Sequence, residues 1–225
     1  MEVVELFPTC LTKTLYDEHS KFKEVFYKNF HKHVPESGDP LGEQSGHVNI
    51  HNDVDMAFFF KFVSDQAREY LRTLGVDDSV WEVNLIKTWI NSYQYGKIPK
   101  HNHSDSHLTW VYYLNVPEDR NYPLRLFNNN PANDLTNGLF EDDTQHNIFS
   151  AGVIEYIPSE GFLLVFPSSL DHEVADTPKG AEIYSNNPVH HRPKRASLAG
   201  DIVLTFKETS TRARGLQPAR NWKSF

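Results

Sequence analysis

A chain of 225 residues with a formal net charge of −8 is too acidic to coat nucleic acid or an anionic membrane. Its one cysteine, Cys10, excludes an internal disulfide and a cysteine-based zinc cage within one chain, while 39% hydrophobic and 13% aromatic residues suffice for a real core. The opening Met-Glu-Val-Val-Glu-Leu-Phe lacks the basic and apolar regions of a signal peptide, and no apolar run approaches the ~20 residues of a membrane span, so a soluble, cytoplasmic protein is expected.

Residues 2–7 suit a short strand ended by Pro8. From Thr14 to His33, Leu15, Phe22, Val25, Phe26 and Phe30 recur at spacings of three, four and seven, which predicts an amphipathic helix. Val34 to Gly42 is punctuated by Pro and Gly and reads as a loop. Asp55 to Leu74 predicts a second helix, its stripe of Ala57, Phe60, Val63, Ala67, Tyr70, Leu71 and Leu74 suited to packing on a sheet, with Gly75 as its stop.

After Asp77 the period changes to two. Trp81 to Tyr95 alternates as one long strand, or as two broken by a bulge, and Gly96 to Pro99 ends it. Further strands are expected at 108–115, 124–127, 149–157, 162–166 and 195–206. Long polar segments at 128–148 and 176–194 read as loops able to gate a site. Thr211 to Phe225 carries Arg212, Arg214, Arg220 and Lys223 with no acid, a basic terminus left to solvent. Two helices followed by seven or eight short strands predict a mainly β, antiparallel sandwich or barrel braced by N-terminal helices. One domain is expected over 1–225, with helical support at 1–78, the barrel at 79–207 and the basic tail at 208–225.

The chemistry concentrates before the strand at 108–115. His101, His103, Asp105 and His107 lie close together in Pro99 to Leu108. Side chains two apart on an extended segment share a side, so His101 with His103, or His103 with Asp105, can present two metal ligands. Two histidines and a carboxylate with open positions suit non-haem Fe(II). A further ligand must come from elsewhere, and His172 is placed for it, following an apolar strand and a Pro-Ser-Ser break. Arg195 and Ser197 share a face of the last strand, where a guanidinium fork and a hydroxyl can hold a carboxylate. A metal site beside such an anchor is what a keto-acid cosubstrate needs.

Five segments in order carry a family resemblance. They are Trp89-Ile-Asn91, Gly96 to Leu114, Pro158 to Gly161 with Leu164 to Ser168, His172 to Val174, and Arg195-Ala-Ser197. With Leu6-Phe7-Pro8-Thr9 at the start, the chain resembles the 2-oxoglutarate- and Fe(II)-dependent oxygenases, above all a small branch common in bacteriophages, especially those of cyanobacteria. The resemblance implies a double-stranded β-helix: a jelly-roll, cupin-like barrel with iron at its mouth and N-terminal helices packed on one sheet. It implies Fe(II), 2-oxoglutarate and O2, and a hydroxylase coupling substrate oxidation to decarboxylation of 2-oxoglutarate to succinate. In it His172 matches the distal histidine, Arg195 and Ser197 the cosubstrate anchor, and Tyr113 a strand position that often reaches the cosubstrate carboxylate.

The two nearer ligands stay open. The superfamily pattern His-x-Asp is spelled by His103-Ser-Asp105, giving His103, Asp105 and His172. The phage branch's Pro-x-His-x-His is spelled by Pro99-Lys-His101-Asn-His103, giving His101, His103 and His172. Arg192 is a rival to Arg195. His31, His33, His47, His51, His190 and His191 read as surface residues, and His107 as a neighbour of the metal at most. A non-catalytic metal-binding cupin-like module and a phage structural protein are the alternatives, because fold does not fix function. A zinc hydrolase lacks an evident general base. The substrate (a small molecule, a lipid, a protein side chain or a nucleobase) is not written in the sequence, and a homodimer is left open. For a phage gene, the compartment is the host cytoplasm.

Overall fold

In the computed structural model, which describes residues 8–33, 43–44, 49–93, 98–118, 121–128, 151–174, 195–208 and 216–224, the two apolar stripes become helices α1 (His19–His33) and α2 (Ala57–Thr73). The start of the first differs from expectation. Thr12–Leu15 forms a strand, β1, because it completes the edge of a sheet, pairing antiparallel from Thr12↔Val165 to Leu15↔Phe162. Leu15, which fits the helical spacing, is half-exposed there. Helix α2 stops as expected: Gly75 takes φ +74, its N–H bonds to the Arg72 carbonyl at 2.9 Å, and Val76 N–H to Leu71 at 2.9 Å.

The remaining strands are β2 (Glu43–Gln44), β3 (Trp81–Tyr93), β4 (Ile98–His101), β5 (Leu108–Asn115), β6 (Leu124–Phe127), β7 (Val153–Tyr156), β8 (Phe162–Pro167), β9 (His172–Val174) and β10 (Arg195–Phe206). A six-stranded sheet runs β1-β8-β5-β10-β3-β2, and a four-stranded sheet runs β4-β9-β6-β7. The alternation forms one strand over Trp81–Tyr93, the part of it that is described, with a bulge: Lys87 pairs with Asp201 and Leu85 with Ile202, so Ile86 has no opposite number.

Besides β1, three strands were missed, the shortest of them β2 in a polar stretch. Ile98–His101, expected to be a break, is β4, and the mixed segment at 172–174 is β9. They pair with each other, Ile98↔Val174 and His101↔His172. Each is too short and too polar to show a period. Between Phe149 and Ile157 only Val153–Tyr156 is strand among the described residues. The expected strand at 2–7 and the loops at 129–148 and 176–194 lie outside the described residues.

Strand β5 is buried at every position because both of its faces are covered. Trp110, Tyr112 and Leu114 meet the helices together with Leu163, Val165, Ala196, Leu198 and Ile202. Val111 and Tyr113 point the other way, between the sheets, with Leu164, Phe166 and Ala199. The helix layer is aromatic: Phe22 stacks on Phe59 at 3.8 Å and meets Tyr112 edge-on at 5.6 Å. Each such buried ring contributes roughly 1.5–3 kcal/mol. Gly200 lets Trp110 lie across β10, since a Cβ there would sit 2.6 Å from the indole and from the Lys87 carbonyl. Residues 216–224 return to the barrel, where Phe206 N–H bonds to Leu216 O at 2.9 Å and Arg220 reaches Glu82.

Candidate metal centre

The β4–β9 pairing places His101 directly opposite His172. His103 lies just beyond β4, where its backbone N–H bonds to Ser168 O at 2.9 Å, tying it to the turn after β8. One ligating atom from each of His101, His103 and His172 can be chosen so that all lie within 4.8 Å of one another. The ring centroids are 4.3 Å apart for His101–His172 and 5.2 Å for each of the other pairs.

Every one of the three rings is fixed from behind. The Nδ1–H of His101 donates to Pro99 O at 2.7 Å, that of His172 to Leu170 O at 2.8 Å, and that of His103 to the Asp201 carboxylate at 2.5 Å. With Nδ1 engaged, each ring offers the lone pair of Nε2, the tautomer that a metal ligand requires. Burial pushes His172 down to about 4, with the neighbouring imidazoles acting in the same direction, so it is neutral at physiological pH. Three imidazoles oriented in this way beside a cavity fit a divalent transition metal.

Asp105 is not part of this cluster. Its side chain is exposed and ion-paired with Lys87, which holds its carboxyl below the usual range. His107 also turns away: it is exposed, and its Nδ1 accepts from Leu204 N–H at 3.0 Å. Two histidines read as surface are more embedded. His33 bonds to Asp53 at 2.8 Å, and His51 to Thr88 at 3.2 Å with Phe60 edge-on. Arg192, His47, His190 and His191 lie outside the described residues, as does the side chain of His31.

A cavity opens beside the cluster, between the sheets. Its walls are apolar, with Ile98, Val111, Leu124 and Val174, and Trp89 stands next to His103 at 5.6 Å between centroids. Besides the histidines and Thr109, its polar groups are Asn91, Tyr113, Arg195 and Ser197. Arg195 and Ser197 share one face of β10, and Ser197 pairs with Tyr113 on one side and Asn91 on the other. Arg195 is 1% exposed, its Nη2 donates to Tyr122 O at 3.4 Å, and its guanidinium lies 5.7 Å from the Tyr113 ring centroid. Asn91 Oδ1 is buried with no hydrogen-bond partner among the described residues. A guanidinium, an amide and two hydroxyls around an otherwise apolar cavity fit one small dicarboxylate.

Asp201 is the site residue that the sequence reading passed over. It is 2% exposed and stands in Leu198 to Leu204, a run otherwise free of charge. That is the signal it carried, since an aspartate is almost never fully buried unless paired.

Residues 87–185 match the family model described as "Putative 2OG-Fe(II) oxygenase". No curated protein sequence is significantly similar to the chain. Among solved structures, a 2OG-Fe(II) oxygenase family oxidoreductase from Burkholderia pseudomallei aligns at TM-score 0.55 and 12% identity, over 86% of this chain and 84% of that one. A prolyl-4-hydroxylase from Pseudomonas putida aligns at 0.52 and 14% identity, over 87% and 92%. The epimerase SnoN, solved with Fe3+, alpha ketoglutarate and nogalamycin RO, aligns at 0.56 and 10% identity, over 94% and 91%. At these identities the likeness is one of fold, and that fold is the double-stranded β-helix.

Proposed function

We propose that the chain is a 2OG-Fe(II) oxygenase, as the match of residues 87–185 suggests, that His101, His103 and His172 hold Fe(II), that Arg195, Ser197 and Tyr113 anchor 2-oxoglutarate, and that the enzyme hydroxylates an organic substrate. The observation that carries this reading is the coincidence, in one cavity, of a cluster of Nε2-presenting imidazoles and a fully buried arginine.

The residues divide the work. The Arg195 guanidinium, set in an apolar wall, favours an anionic guest strongly. Ser197 and Tyr113 carry hydroxyls on the same wall and fix which carboxylate oxygen faces inward. Ile98, Val111, Leu124 and Val174 exclude water from the space between anchor and metal. Trp89 beside His103 offers a flat apolar face to whatever enters next. Bound together, Fe(II) and 2-oxoglutarate supply activation of O2, coupled to decarboxylation of the keto acid to succinate and CO2.

The same cavity argues against the alternatives. A non-catalytic cupin-like module or a structural protein has no use for an arginine buried next to the histidines. A zinc hydrolase needs a free carboxylate as base, and Asp201, the carboxylate in contact with the cluster, lies behind His103. The ligand set His103, Asp105 and His172 is disfavoured by the outward pairing of Asp105 with Lys87.

The outcome of the oxidation and the substrate belong to the proposal, since the similar structures include both a prolyl-4-hydroxylase and an epimerase. A peptide side chain or a small molecule is the substrate class we favour. Membership of the phage branch rests on Pro99-Lys-His101-Asn-His103, and with it goes a host-cytoplasmic setting. A homodimer is compatible with all of this and is read directly by sedimentation. Among the described residues no helix is long and apolar enough to cross a membrane.

The test is anaerobic titration of metal-free protein with Fe(II) and 2-oxoglutarate, followed by admission of oxygen. A weak visible charge-transfer band and formation of succinate are expected. Intact metal binding without any band would remove the keto-acid role from Arg195 and leave a metal-binding module.

A further inference from the structure

We propose that Asp201 supplies, through the imidazole of His103, the negative charge that an all-histidine ligand set lacks. The proposal rests on His103 being a metal ligand. It goes beyond that reading by giving a positioning and charge-donating role to a residue that cannot itself reach the metal position.

The geometry is specific. Asp201 Oδ1 lies 2.5 Å from His103 Nδ1, which leaves Nε2 as the ring's free ligand atom. The same oxygen accepts a second bond from Thr109 Oγ1 at 3.2 Å. Because a carboxylate only accepts, Thr109 must donate to it, so Thr109 in turn accepts from Ser168 at 3.0 Å, and Ser168 from Ser106 at 2.7 Å. Three hydroxyl dipoles are thus aligned toward the carboxylate, which is what holds an ionised group in a buried place.

The charges around it point the same way. Lys87 stands opposite Asp201 in the strand register, but its ammonium is bonded to Asp105. Lys87 acts on Asp201 only at a distance, because its ammonium is engaged by Asp105. Among the described residues, the side chains bonded to Asp201 are neutral dipoles when His103 is neutral. A buried carboxylate without a cation is costly, and a divalent metal on the far side of the His103 ring supplies that cation. Strong donation from Nδ1 also raises the basicity of Nε2, which strengthens its bond to a metal. An iron site built from three imidazoles keeps more positive charge than one with a carboxylate ligand, and Asp201 returns part of that difference without occupying a coordination position.

Asp201→Asn separates charge from shape, because the amide oxygen still accepts from His103. Titration of metal-free protein with Co(II), a visible probe not oxidised in air, should show affinity reduced about 10–100-fold in this variant, with far-UV circular dichroism unchanged. The iron form should show a raised Fe(III)/Fe(II) potential. Wild-type Co(II) affinity in Asp201→Asn, alongside lost binding in His172→Ala, overturns the proposal and leaves the histidine ligands standing. Undiminished binding in His172→Ala overturns both. If Asp201→Asn does not fold, the wild-type protein loaded with Zn(II) decides by proton NMR. One imidazole N–H shifted further downfield than the two bonded to carbonyls supports the proposal, and three alike overturn it.

Discussion

His101 and His172 are register partners across β4 and β9, with ring centroids 4.3 Å apart, although the strands β5, β6, β7 and β8 lie between them in the chain. The pair exists only because two short, polar strands find each other at the edge of the smaller sheet. Removing either ring therefore removes a proposed ligand without disturbing the aromatic layer under the helices. His172→Ala should abolish Fe(II) binding and 2-oxoglutarate turnover together while the protein stays folded. Metal titration and a succinate assay on one preparation check this, and turnover that survives contradicts the ligand assignment.

Asp105→Ala should spare metal binding. The Asp105 side chain is 55% exposed and its partner is Lys87, so the variant loses a surface ion pair worth up to about 1 kcal/mol. Fe(II) titration of the variant is the measurement. A collapse in affinity would select His103, Asp105 and His172 instead.

Arg195 should matter to the cosubstrate and not to the metal. A charge-assisted hydrogen bond contributes about 1.5–3 kcal/mol, so Arg195→Gln should raise the 2-oxoglutarate concentration needed for half-saturation by roughly 10–100-fold. Co(II) affinity should stay within about twofold of wild type. Parallel loss of both would mean that Arg195 only supports the fold.

The metal-free protein should lose stability in mild acid. Burial lowers His172 from 6.5 to about 4, so between those values the unfolded chain binds more protons than the folded one. Stability from this residue is complete above about pH 6.5 and falls as the pH drops toward 4, by an amount of order 3 kcal/mol. Thermal midpoints at pH 7, 5.5 and 4.5 should fall more steeply for wild type than for His172→Gln. Equal slopes would place the titrating group elsewhere.

Gly200→Ala should cost about 1–3 kcal/mol by overpacking, since its Cβ would enter the space of the Trp110 ring and the Lys87 carbonyl. The neighbouring Asp201 would shift with the strand, so metal affinity should fall as well. Urea midpoints and Co(II) titration measure the two effects, and a neutral result in both would mean that β10 is free to move.

Much of the barrel was legible because its long strands carry their own signal. Trp81 to Tyr93 alternates, Leu108 to Asn115 and Arg195 to Phe206 are rich in β-branched and apolar residues, and the α2 stripe ends at a glycine with positive φ. Local sterics and burial of one face dictate such elements, so a window of a dozen residues contains the information. The histidines, Arg195 and Ser197 were legible for a related reason: their types and order carry chemistry whatever the geometry.

Only the tertiary structure decided the rest. Thr12–Leu15 became a strand by completing a sheet edge against β8, a partner far along the chain that overrides its helical spacing. β4 and β9 are strands because each has the other. His101 and Asp105 both qualify by spacing, and only the fold gathers His101 with His103 and His172 while Asp105 turns outward to Lys87. Asp201 meets His103 across the barrel, and no local pattern records a contact at that range. Periodicity is a property of neighbours in sequence. A metal centre is a property of neighbours in space, fixed by strand register and by which buried charges find a partner.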